Sequence, residues 1–240
     1  MRLQMPAGLS RFLSALAVCA LAALIGGEKA AAQTPPTPAE YAAYEGLFDA
    51  AAKGLASRID DLVVAGADPD ERDENGRTPL IVAAFRQEKA AVKALLDAGA
   101  NANALDNDSF DALSIAASSG DLAVVKLLVG AKANARAITG PLGNTALIAA
   151  CQKGNVAVVE TLLAARAPVN HVNNLGATAL VTALTSGDGG ERTQKIVDAL
   201  IRAEADLNLP DRAGTKPLAL ARAKGFTEVA ALLETAGAQP

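Results

Sequence analysis

The chain has 240 residues, with 22 basic and 26 acidic side chains and a formal net charge of −4. With no basic run, it lacks the electrostatic footprint of a nucleic-acid binder. Aromatic residues make up 3% and hydrophobic residues 51%, mostly Ala, Leu and Val, which suits closely packed helices better than a β-sandwich.

The chain opens on Arg2 and Arg11, then an apolar run from Phe12 to Ile25, then Gly26-Gly27 and Ala30-Ala31-Ala32. That order predicts a secretory signal peptide over residues 1–32, cut between Ala32 and Gln33. A retained membrane anchor is the competing reading. The run of 14 residues is short for it, because a spanning helix needs about 20. Removing the segment takes away Arg2, Arg11, Lys29 and Glu28 and leaves a net charge of −6. One cysteine, Cys151, then remains, so stability has to come from packing rather than an internal disulfide. Residues 33–39, with Pro35, Pro36 and Pro38, read as a Pro-rich linker.

From residue 40 onward the chain repeats itself. Thr78-Pro79-Leu80-Ile81-Val82-Ala83-Ala84 returns 33 residues later as Asp111-Ala112-Leu113-Ser114-Ile115-Ala116-Ala117. It returns again from Thr145, from Thr178 and, as Lys216-Pro217-Leu218, from Lys216. Val92-x-x-Leu95-Leu96 recurs in step from Val125, Val159 and Val197. Gly54, Gly120, Gly154, Gly187 and Gly225 share one register position, which Gln87 takes in the second unit.

Each unit predicts two helices. Thr78, Asp111, Thr145 and Thr178 can cap the first, whereas Lys216 cannot, and Pro79 suits the first helical position. The shared Gly suits the turn into the second helix, whose Val92, Leu95 and Leu96 fall at i, i+3 and i+4. Paired alanines (Ala83-Ala84, Ala116-Ala117, Ala149-Ala150) let neighbouring helices approach closely. No unit buries enough apolar surface alone, so the stack shares one core.

The period and the T-P-L, A-A, G and V-x-x-L-L landmarks resemble the ankyrin repeat. Gly66-Ala67-Asp68-Pro69-Asp70 and Gly99-Ala100-Asn101-Ala102-Asn103 are similar to that family's closing G-A-D-V-N. The resemblance implies an all-α solenoid of six stacked helix-turn-helix units joined by finger-like turns. The units are 40–72, 73–105, 106–138, 139–172, 173–210 and 211–240. The chain departs from the family where a His often follows T-P-L: it has Ile81, Ser114, Ile148, Val181 and Ala219 there. The fourth unit has one extra finger residue within 137–144, and the fifth has five extra residues around 186–191.

Little in the sequence points to catalysis. His171, the single histidine, reads as an exposed finger residue, and Cys151 as a small core residue replacing an alanine. One His and one Cys cannot make a zinc site. Asp68, Asp70, Asp73 and Glu74 lack the spacing of a calcium loop and read as solvated finger residues, some fixing the turn. No cofactor, metal or catalytic residue is expected.

The resemblance instead implies a protein partner bound along the finger tips and the exposed side of the first helices. By register these are Glu74, Asn75, Arg77, Phe85 and Arg86 in the second unit and Asn107, Asp108, Phe110, Ser118 and Ser119 in the third. The fourth supplies Pro141, Leu142, Asn144, Gln152 and Lys153, and the fifth Asn174, Leu175, Thr185 and Ser186. Phe85, Phe110, Leu142 and Leu175 are apolar where solvated residues are expected, as anchors of a recognition surface are. The expectation is a monomeric, non-catalytic binding module in the periplasm of a Gram-negative bacterium. It has an unidentified protein partner, no nucleic-acid partner and no membrane contact after signal cleavage. A secreted effector acting on a host protein is the alternative.

Overall fold

The computed structural model describes residues 33–240, so the expected signal peptide lies outside the described residues. Gln33–Pro240 forms one compact unit. Thirteen helices and no strands occur among the described residues, and none of the helices is long and apolar enough to cross a membrane.

A short helix α1 (Pro38–Ala43) precedes six pairs. These are α2 (Gly46–Ala52) with α3 (Ala56–Val64), α4 (Pro79–Arg86) with α5 (Lys89–Asp97), and α6 (Ala112–Ser119) with α7 (Leu122–Gly130). They continue as α8 (Ala146–Lys153) with α9 (Val156–Ala164), α10 (Ala179–Ser186) with α11 (Glu191–Arg202), and α12 (Pro217–Ala223) with α13 (Thr227–Thr235). First helices pack on first helices in sequence order, and second helices on second helices, giving two parallel rows. Regular structure starts at Pro38, inside the stretch read as a linker, because Thr37 and Glu40 form a capping box around α1.

The first row lies in the interior. Pro79 to Ala84 are all buried, and so are Ala112 to Ala117, Ala146 to Cys151 and Ala179 to Leu184. Four of these helices begin on the expected caps. Thr78, Thr145 and Thr178 accept the N–H three residues on at 3.1–3.4 Å, and Asp111 accepts that of Ser114 at 2.7 Å. Lys216 makes no cap bond. In the second row the buried face is Ala91, Val92 and Leu95, whereas Leu96 is only half-buried. The same three positions recur as Val124, Val125, Leu128 and as Val158, Val159, Leu162.

The shared turn position is left-handed at Gly120, Gly154 and even Gln87, where φ is 60°. Gly187 departs from it with φ −78°, because the inserted residues lead the chain onward in an extended conformation. Part of the insertion lengthens α11 to 12 residues, against nine in α5, α7 and α9. Asp188 Oδ1 closes the rest by accepting from Gly190 N at 2.9 Å and Thr193 Oγ at 3.2 Å.

Asp111 is the one carboxylate among these buried caps. Burial raises its pKa, and the Ser114 N–H only partly opposes that shift. Asp111→Thr keeps the cap and removes the buried charge, so it should stabilise the chain by about 0.5–1 kcal/mol at neutral pH. Because the folded-state pKa is raised, the wild-type protein gains stability as pH falls through it. The advantage of Asp111→Thr should therefore shrink below neutral pH, which urea titrations at pH 7 and pH 4.5 would measure.

Candidate protein-binding face

Four of the fingers are each built on one acidic or amide side chain. Asp73 Oδ1 accepts from Asn75 N at 2.9 Å and from Arg77 N at 2.8 Å. Asp106, Asn173 and Asp211 make the same pair of bonds in their units at 2.8–3.0 Å. The fourth unit has Thr139 instead of such an acceptor. Its extra residue allows a bridge in which Thr139 and Asn144 exchange backbone hydrogen bonds at 2.7 and 3.1 Å. The lengthened finger therefore follows from the loss of the organising carboxylate or amide.

Fingers are then tied to one another. Asn107 N donates to Asn75 O, Gly140 N to Ser109 O, and Asn174 N to Leu142 O, at 2.9–3.0 Å. Asn107 and Asn174 also donate side-chain Nδ2 to Glu74 O and Pro141 O. A second ladder runs through the closing Asx residues. Asp70, Asn103, Asn170 and Asn208 each accept the backbone N–H of the next unit at 2.7–2.9 Å. One rung is absent: Arg136 has no acceptor oxygen and Pro168 no N–H to donate. The family His that ties neighbouring loops is replaced in part by His171, whose Nε2 donates to Gly143 O at 2.7 Å. His171 is accordingly half-buried rather than an exposed finger residue.

Most of the expected partner-binding residues do reach solvent. Glu74, Asn75, Arg86, Asn107, Asp108, Pro141, Gln152, Lys153, Asn174, Leu175, Thr185 and Ser186 are exposed. Phe85, Ser118, Ser119, Leu142 and Asn144 are half-buried. Two expectations are corrected. Phe110 is 6% exposed and belongs to the core. It is drawn inward because Gly140 of the next finger has no side chain, leaving room for the ring: a Cβ there would lie 2.3 Å from Phe110 Cε1. Arg77 is 4% exposed, with its guanidinium held by Glu40 at 2.9 Å and by Asp73 at 3.7 Å.

The structure also exposes a row that the register arithmetic passed over. Leu105, Ile138 and Val172 are 41%, 60% and 46% exposed and lie 33 and 34 residues apart. Each occupies the residue just before its finger turn, so one apolar side chain per unit faces solvent on three consecutive fingers. The signal was in the sequence, since the same 33-residue step that aligned the helices aligns these three.

Cys151 is buried, and its burial pushes the thiol well above its ordinary value, away from the reactive thiolate. Among the described residues no group of three His, Cys, Asp or Glu is placed to hold a metal.

Two rows of paired helices joined by tied fingers define a repeat solenoid, a class whose open surface serves interaction. The chain belongs to the ankyrin-repeat family, whose three-copy repeat model matches residues 47–138 and 132–211. It is 35% identical over 190 residues to the putative ankyrin repeat protein YahD of Escherichia coli (strain K12), covering 79% of this chain and 94% of that protein. The crystal structure of an ankyrin repeat domain from Acinetobacter baumannii AYE matches with TM-score 0.77 and 39% identity, over 80% of this chain and 98% of that one. The ankyrin repeat protein EF0377 matches with TM-score 0.73 and 28% identity, over 80% of this chain and 98% of that one. Ankyrin repeats in general mediate protein–protein interaction, and the fold is typically non-catalytic.

Proposed function

We propose that this chain is a non-catalytic module that binds a protein partner in the bacterial periplasm, as a monomer exported by residues 1–32. The carrying observation is the exposed apolar row Leu105, Ile138 and Val172 beside Leu175, flanked by polar finger tips. Three large aliphatic side chains at one register position lie outside the buried core. Apolar anchors within a polar surround are what a recognition surface needs. The order of charged, apolar and small residues at the N-terminus supports export.

Capture from periplasmic extract on the immobilised chain tests the reading. A specific partner should be retained by the wild type. Leu105→Asp, Ile138→Asp and Val172→Asp together should weaken retention at least about tenfold, since anchor residues commonly carry 2 kcal/mol or more. Their thermal midpoint should stay near that of the wild type, because exposed positions tolerate such changes. Unchanged capture by the triple variant would move the binding face elsewhere. Recovery of the processed chain only in culture medium would overturn the periplasmic assignment.

A further inference from the structure

Helix α1 has no counterpart in the other units. It is six residues long and none of its side chains is buried, yet it grips the repeats by a specific set of contacts. Glu40 Oε1 accepts from Asn75 Nδ2 at 2.7 Å and from Arg77 Nη2 at 2.9 Å. The Arg86 guanidinium, held from the stack side by donating Nε to Ala52 O of α2 at 3.3 Å, lies over the Tyr41 ring, 5.0 Å from its centroid. Just beyond α1, Tyr44 OH donates to Asp73 Oδ2 at 2.7 Å.

Asn75, Arg77 and Arg86 are three of the second-unit residues that the register places on the partner side. In the third unit the corresponding residues are Asp108, Phe110 and Ser119, so the paired guanidiniums belong to the second unit and not to the repeat as such. One guanidinium and one amide meet a carboxylate, and the other guanidinium meets an aromatic face. Both are recognition geometries that Arg serves well.

We infer that Asn75, Arg77 and Arg86 form a binding site for a polypeptide segment presenting a carboxylate beside an aromatic ring, and that α1, through Glu40 and Tyr41, is the chain's own occupant. A partner segment with the same pair displaces α1. The assignment rests on the partner-face reading above and adds the chemistry of the ligand. A helix with no buried residue of its own, preceded by the single buried Pro36 and otherwise attached by side-chain ends, belongs to the low-stability end of the fold and opens ahead of the packed pairs.

The test uses the purified chain and a fluorescent synthetic peptide spanning residues 35–45. The wild type, with its site occupied internally, should bind the peptide at least about tenfold more weakly than Glu40→Ala/Tyr41→Ala, because occupancy lowers the fraction of competent sites. Adding Arg86→Ala to that variant should abolish binding, and so should peptide carrying the same two substitutions. Amide exchange should show α1 opening far faster than α4. Equal peptide affinity for wild type and variant overturns the assignment, as does absence of binding to both. Protection of α1 equal to that of α4, or loss of helical signal from α2 to α5 in the variant, overturns it by making α1 an integral part of the stack. No partner is needed in this assay, so its failure would leave the periplasmic capture experiment unaffected.

Discussion

Phe110→Ala should lower the unfolding free energy by about 3–4 kcal/mol, the range for removing a buried aromatic ring from a close-packed site. For a chain of this size that shifts the thermal midpoint by about 10 °C. The ring fills the space over Gly140, whose N–H is tied to Ser109 O at 2.9 Å, so the neighbouring finger cannot move in easily to close the cavity. Phe85→Ala, at a half-buried position, should cost about 1 kcal/mol. Both phenylalanines are expected on the partner face from the sequence, and denaturant melts of the single variants would separate them. The converse substitution, Gly140→Ala, should also destabilise, through left-handed backbone strain and contact with the Phe110 ring. A Phe110→Ala protein as stable as wild type would show that the ring is not a core element.

Arg77→Ala should cost about 2 kcal/mol and loosen the N-terminal end of the stack. Its side chain is 5% exposed, and those of Asp73 and Glu40 are 11% and 32% exposed, so removing the cation strands two carboxylates in a poorly solvated corner. Losing one partner of a buried pair commonly costs 3–5 kcal/mol. The lower figure applies here because Asp73 keeps its two backbone donors and Tyr44 OH, and Glu40 keeps Thr37 N. Glu40 is held below its ordinary pKa first by Thr37 and then by Arg77. Its contribution is therefore present above the usual carboxylate range and is lost as pH falls through the lowered folded-state value. Stability in a repeat array is a sum of units and neighbouring interfaces, so the damage should stay local. Amide exchange should speed up in α1 to α3 with little change from α8 onward. Uniform loss of protection along the whole chain would contradict that picture.

The repeat itself was legible without coordinates. Helix starts followed from Thr78, Asp111, Thr145 and Thr178, the left-handed turn was marked by Gly120 and Gly154, and the alanine pairs marked the first row as the crowded one. These are local properties: a cap bonds three residues away, a turn needs a φ that glycine accepts, and a period of 33 survives any detail of packing. The lengthened finger was legible as an anomaly, but its cause was not, because the loss of an organising Asx at Thr139 matters only beside the bridge to Asn144.

The candidate face was read less completely. Register says which residues share a position, not which way each side chain finds room. Phe110 turned inward because the next finger offers a glycine, and Arg77 because Glu40, 37 residues earlier, came to meet it. Leu105, Ile138 and Val172, at the start of their fingers, keep 41%, 60% and 46% of their surface in solvent. What the sequence by itself determined was the repeat, its caps and its six-unit count, since each rests on residues close together along the chain. What only the tertiary structure decided was which side chains of the partner face remain free. That depends on neighbours one unit away, where the space left by a glycine or the charge on a distant carboxylate outweighs position in the repeat.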